Sequence, residues 1–158
     1  MVFIKNRQRK IIVNNQHLAD RVTEMLKAIG LQRFGISILL TTNRSIRKFN
    51  KIFRGKDKPT DILSFPHYPN LKPGQYPIAH NDEERYLGDI IISLEYVQKD
   101  APKTWARPFR DHLIVIIAHG IAHLLGHNHF SDSEWKKMQA IEQKLLKTTK
   151  MNDEIIKK

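Results

Sequence analysis

Three histidines, His119, His123 and His129, lie within the segment His119-Gly120-Ile121-Ala122-His123-Leu124-Leu125-Gly126-His127-Asn128-His129. Residues four apart on a helix share one face, so the first two imidazoles can converge on a single ion. Gly126 suits the left-handed turn that stops a helix, and a chain reversed there lets His129 swing back as third ligand. Three neutral imidazoles leave a fourth position open, the donor set of a catalytic metal site rather than a structural one. Burial supports the reading, because both helical histidines follow the all-apolar run Leu113 to Ala118, where an unpaired imidazole is costly. Zinc, one ion per chain, is the foremost occupant, although the same donors accept nickel, copper or cobalt.

His127 is either a competing ligand or a residue lining the site. His17, His67, His80 and His112 have no ligand-like spacing and are expected at the surface or satisfied in the core. The ligand spacing coincides with that of the metzincin proteases, which place a glutamate directly after the first histidine as general base. Here that position is Gly120, which cannot accept a proton, so peptide hydrolysis by that route lacks its base.

A second group of chemically capable residues lies in Arg54-Gly55-Lys56-Asp57-Lys58-Pro59-Thr60-Asp61-Ile62-Leu63-Ser64-Phe65-Pro66. Arg54 offers a planar fork to a phosphodiester, with Lys56 and Lys58 as further phosphate contacts. The same residues also read as a solvated basic loop. Asp61 and Asp89 stand at the starts of short strands, where each could orient a ligand histidine or serve only the local turn.

The elements that must position these groups follow from periodicity. Ile11-Ile12-Val13 reads as an edge strand. Leu18, Val22, Met25, Leu26 and Ile29 recur at helical spacing between Asn15 and Gly30. Phe34 to Leu40 alternates as a strand. Asn43 caps a short helix carrying Ile46, Phe49, Ile52 and Phe53, which stops at Gly55. Thr60 to Phe65 and Leu87 to Ser93 are two further strands, separated by a proline-rich loop over 66–86. Ser93 caps a helix running toward Asp100. Pro108 opens the histidine-bearing helix, whose apolar surface on every side places it inside the core. Ser131-Asp132-Ser133-Glu134 is a capping box for a last helix that buries Trp135, Met138, Ile141 and Leu145. The tail from about residue 148 is polar and expected to fray. No internal repeat or second domain is visible, so residues 1–158 read as a single α+β domain. It holds a small mixed four-stranded sheet, about five helices, and the metal site on a buried helix.

Composition bounds the partners. The chain has 27 Lys and Arg against 16 Asp and Glu, a net charge of +11 that attracts polyanions, nucleic acid foremost. A genome rich in Lys and Asn would produce the same excess without any such partner. With no cysteine, disulfide frameworks and cysteine-built zinc sites are excluded. The basic N-terminus lacks the apolar stretch of a secretory signal, and no apolar run is long enough to span a bilayer. The expected setting is cytoplasmic.

Taken together, these segments resemble the YbeY family of bacterial metal-dependent endoribonucleases. The resemblance rests on Phe49-Asn50-Lys51-Ile52-Phe53-Arg54, Lys58 to Pro66, Leu87 to Ser93 and the histidine segment, which fall in the family's order between residues 34 and 147. It implies an α+β fold with a small sheet beside the metal helix, and zinc held by His119, His123 and His129. It further implies a role for Arg54 in RNA cleavage. The task it implies is ribosomal RNA maturation, notably of the small-subunit 3′ end, and ribosome quality control alongside ribosomal proteins. The family commonly has Asp before the last ligand, where this chain has Asn128, an amide that hydrogen-bonds but cannot take a proton. The activity expected is single-strand-specific, zinc-dependent endonucleolytic cleavage. The alternative is an assembly factor that binds RNA without cutting it and uses zinc only to stabilise its fold.

Overall fold

The computed structural model describes residues 1–147, and the expectation for the tail from 148 lies outside them. Nine elements follow in the order β1 (Val2–Asn6), α1 (Asn15–Ala28), β2 (Gly35–Thr41), α2 (Asn43–Arg54), β3 (Ile62–Pro66), β4 (Tyr86–Ser93), α3 (Leu94–Thr104), α4 (Phe109–Leu124) and α5 (Asp132–Leu146). The sheet runs β1-β2-β4-β3, with β1, β2 and β4 parallel and β3 antiparallel to β4 at one edge. Pro66 is tolerated in β3 because an edge strand has one unpaired side. The architecture is the expected α+β fold with a mixed four-stranded sheet and five helices.

The first strand is not where the sequence suggested. Ile11-Ile12-Val13 contributes only an isolated bridge at Val13, and the strand is Val2–Asn6. The buried Gln8 side chain explains this. Its amide oxygen accepts from Ile11 N at 2.9 Å and its amide nitrogen donates to Ile11 O at 2.7 Å, folding the segment into a loop. Ile11 is then buried as a loop anchor, not as a strand residue.

Strand alternation divides the core in two. Ile36, Ile38, Leu40, Ile90 and Ile92 point to the face covered by α1 and α4, against which α5 packs in turn. Leu39, Leu63, Phe65 and Ile91 point the other way, where α2 covers them through Ile46 and Phe49. Caps fix the helix starts: Asn14, Thr42, Ser93 and Ser131 each accept a backbone N–H, one residue before Asn15 and Asn43 in the first two cases. The capping box at Ser131 and Glu134 is formed as expected. Trp135 departs from expectation, at 51% exposed. Burial along α5 begins only at Met138, so its first turn stands outside the packed stripe. His112 is buried and stacked on Trp105 at 5.5 Å, with no hydrogen-bond partner for either ring nitrogen among the described residues. It is a core histidine, but not the satisfied one expected.

Candidate metal centre and adjoining cleft

Helix α4 is the scaffold of the site, and Gly120 sets its distance from the sheet. A Cβ there would lie 2.8 Å from Ile62 Cδ1 and 2.9 Å from Ile90 Cδ1, so the absent side chain lets α4 press against β3 and β4. The position that carries a catalytic base in metzincins is here occupied by helix–sheet packing. The helix ends in a Schellman motif: His127 N donates to Ala122 O at 3.0 Å and Gly126 N to His123 O at 3.0 Å. Gly126 has φ +84, and a Cβ on it would fall 2.0 Å from Leu71 O in the β3–β4 loop. That loop therefore braces the turn that returns His129 to the site.

The result brings the three histidines together. Their potential ligand atoms all lie within 4.8 Å of one another, and His119 Nε2 and His123 Nε2 are 3.1 Å apart. The outer nitrogens are engaged on both helical rings. His123 Nδ1 donates to His127 O at 2.9 Å, and His119 Nδ1 pairs with Glu142 Oε1 at 2.7 Å. Carbonyl and carboxylate oxygens only accept, so each Nδ1 holds the proton and each Nε2 presents a lone pair. Two lone pairs facing each other at 3.1 Å repel unless a proton or a metal ion sits between them. Tetrahedral zinc with bonds of about 2.0–2.1 Å separates its nitrogens by roughly 3.3 Å, which the His119–His123 pair matches, while His129 completes the set within 4.8 Å. Burial, then the neighbouring His119, lowers the His123 pKa to about 4, which keeps it neutral as a ligand must be.

The other residues singled out from the sequence divide clearly. Arg54, the last residue of α2, lines a cleft of about 590 Å³ together with the three histidines, Asp61 and Ser64. Gly55, at φ 66, caps α2 and turns the chain toward β3. Asp61 reaches no histidine: its carboxylate accepts from Ile62 N at 2.7 Å and Thr60 Oγ1 at 3.2 Å, a local turn role. Asp89 is on the opposite sheet face and accepts from Tyr86 Oη at 2.7 Å, so neither aspartate orients a ligand. His127 acts through its carbonyl, while its buried ring lines a separate pocket beside Ile141 and Lys144. Asn128 is exposed. Lys56 and Lys58 are exposed on the loop leaving α2 and are not among the residues lining the cleft.

Glu142 is the residue that sequence reasoning missed. It stands four residues after Met138 and three before Leu145, on the buried stripe of α5. A carboxylate on an apolar stripe was the available signal, since burying one demands a partner.

A three-imidazole centre with an open side, beside a guanidinium in one cleft, is how metallohydrolases with anionic substrates are built. The family model for endoribonuclease YbeY matches residues 3–150. Endoribonuclease YbeY of Homo sapiens is 33% identical over 143 residues, covering 90% of this chain and 84% of that protein. Its namesake in Persephonella marina is 38% identical, covering 74% of this chain and 71% of the relative. The Pelagibacter ubique protein of the same name is 42% identical over 71% of this chain and 67% of the relative. A Thermotoga maritima protein solved in solution shares the fold, with a TM-score of 0.55 at 23% identity over 93% of this chain and 90% of the other. The chain belongs to the YbeY family of endoribonucleases.

Proposed function

We propose that this protein is a zinc-dependent endoribonuclease that cuts single-stranded ribosomal RNA precursors, with the small-subunit 3′ end as its target. Cytoplasmic ribosome quality control beside ribosomal proteins belongs to the same reading. One observation carries it: the convergent Nε2 atoms of His119 and His123 share a cleft with Arg54. Among the described residues no helix is long and apolar enough to cross a membrane.

One zinc ion, held by His119, His123 and His129, would supply Lewis acidity toward a phosphoryl oxygen or a bound water. The chain's own residues do the rest. Arg54, exposed at the end of α2, offers two parallel N–H donors to the non-bridging phosphate oxygens and stabilises the charge that develops there. Glu142 holds the His119 ring against rotation, and the His127 carbonyl holds that of His123. The net charge of +11 draws the polyanion to the cleft.

The test is cleavage of a single-stranded RNA spanning the small-subunit 3′ end by zinc-loaded protein and by its His119→Ala variant. The wild type is expected to cut and the variant to lose cutting. End-group analysis then separates attack by water, which leaves a 5′-phosphate downstream, from attack by the RNA 2′-hydroxyl, which leaves a 2′,3′-cyclic phosphate upstream. Equal rates for both proteins, with contaminating nuclease excluded, would overturn the reading.

A further inference from the structure

The sheet face opposite the metal helix is only half covered, and a groove of about 760 Å³ opens there beside α2. Four of the seven phenylalanines in the chain line it: Phe3, Phe49, Phe53 and Phe65. Phe3 is 54% exposed and Phe53 61%, a heavy exposure of aromatic surface that packing does not require. The rings are arranged as a platform. Phe53 stacks nearly parallel to Phe49, with centroids 6.3 Å apart and planes at 12°, and meets Phe65 edge-on at 5.0 Å.

The groove is continuous with the cleft, because Phe53 and Phe65 line both. A strand of RNA whose phosphate lies at Arg54 therefore has its neighbouring nucleotide within reach of these rings. The charges divide in the same way. Helix α2 carries Arg44, Arg47, Lys48, Lys51 and Arg54 with no acidic residue, a basic edge for a phosphate backbone. Asp57 neutralises part of it, at 2.9 Å from Arg47. The groove itself is lined by one cation, Lys5, and one anion, Asp89, whose carboxylate can accept from the exocyclic amino group of a base. A pocket with aromatic walls, a carboxylate acceptor and a cationic rim suits a nucleobase better than a phosphate.

We propose that this groove seats an unpaired nucleobase of the RNA substrate next to the bond placed at the metal cleft. The inference rests on the nuclease reading above and extends it. Only a base freed from pairing can leave the strand to enter the groove, which makes the groove a source of single-strand preference.

The experiment measures binding and cleavage of a short single-stranded RNA by zinc-loaded full-length protein, with an abasic site moved along the strand. Loss of the one base that enters the groove should weaken binding about five- to a hundred-fold, the range of base–aromatic stacking. Phe53→Leu and Phe3→Leu should show the same loss on intact RNA and no further loss on the abasic strand. Phe53→Tyr, which keeps a stacking ring, should restore binding, and melting temperatures check that each variant is folded. Cleavage by wild type together with undiminished binding in both leucine variants would overturn the groove while leaving the nuclease standing. Undiminished binding together with a protein partner lost on Phe53→Tyr would assign the groove to peptide docking instead. A wild type that neither binds nor cuts RNA would overturn both readings.

Discussion

Replacing Glu142 tests the metal centre most sharply, because its position came from the structure and not from the ligand spacing. Its Oε1 lies 2.7 Å from His119 Nδ1, with the two side chains 20% and 33% exposed. The pair is therefore partly shielded, stronger than a surface ion pair but not a fully buried one. Glu142→Gln keeps shape and an acceptor oxygen but removes the charge that raises the basicity of the ring; Glu142→Ala removes the anchor altogether. Partners of this kind typically account for 10- to 100-fold in metal affinity, so alanine should cost a factor in that range and glutamine about tenfold at most. Both variants should fold, since the side chain sits at the margin of the packed stripe and keeps partial contact with solvent. The assay is zinc affinity by competition with a chromophoric chelator, with circular dichroism as control. Zinc affinity within twofold of wild type in the folded alanine variant would refute the claim that Glu142 fixes the His119 ring.

Gly126→Ala should destabilise by more than about 2 kcal/mol, because it combines a left-handed φ with a Cβ driven into Leu71 O, and should weaken zinc binding too; urea unfolding midpoints and the same chelator titration check it. Gly120→Glu should create no peptidase and should unfold at markedly lower temperature, since the new side chain enters between Ile62 and Ile90; caseinolytic activity in a folded variant would contradict this. Arg54→Ala should slow single-turnover RNA cleavage about 10²-fold with the melting temperature unchanged, and Arg54→Lys should recover little of it, having lost the fork. Metal-free protein should lose stability as pH falls from 6.5 toward 4: the unfolded chain takes a proton on His123 across that window and the folded chain does not. With the ring partly exposed the loss is about 1–2 kcal/mol. Urea midpoints at pH 7 and 5 should show it, and His123→Asn should flatten the difference; a midpoint that rises on acidification would contradict the assignment.

The ligand set was legible in the sequence because its logic is local. His119 and His123 are one helical turn apart, and Gly126 announces the reversal that returns His129. The helices were legible for the same reason: α1, α2 and α5 are marked by a polar cap and an apolar period, α3 by its serine cap, and α4 by Pro108 and an unbroken apolar run. What failed was decided at long range. Val2-Phe3-Ile4 does not alternate because Phe3 faces the groove, so β1 carries no period-two signal; Ile11-Ile12-Val13 looked better as a strand until Gln8 claimed its backbone. Asp61 and Asp89 looked equivalent, yet strand direction and pairing put them on different errands, one in a turn and one under Tyr86 Oη. Glu142 is 23 residues from the histidine it holds, a relation only the packing of α4 on α5 creates.

Strand β3 explains why cleavage chemistry and base recognition can share one small sheet. It is an edge strand, and its side chains alternate between two surfaces. Ile62 and Ser64 face α4, where Ile62 meets Gly120 at the metal helix; Leu63 and Phe65 face α2 and the aromatic groove. Within five residues the strand thus forms the ridge between the cleft lined by the three histidines and Arg54 and an apolar one. Adding another strand to that edge would cover the ridge and separate the two surfaces. Shifting β3 by one residue would exchange its two faces, turning Leu63 toward α4 and Ser64 toward the phenylalanines. The antiparallel pairing of Leu63 with Ile91 and Phe65 with Asp89 prevents that slip by burying Leu63 and Ile91 in one cluster beneath α2. Register, more than any single side chain, is what holds a phosphate-sized site and a base-sized site side by side.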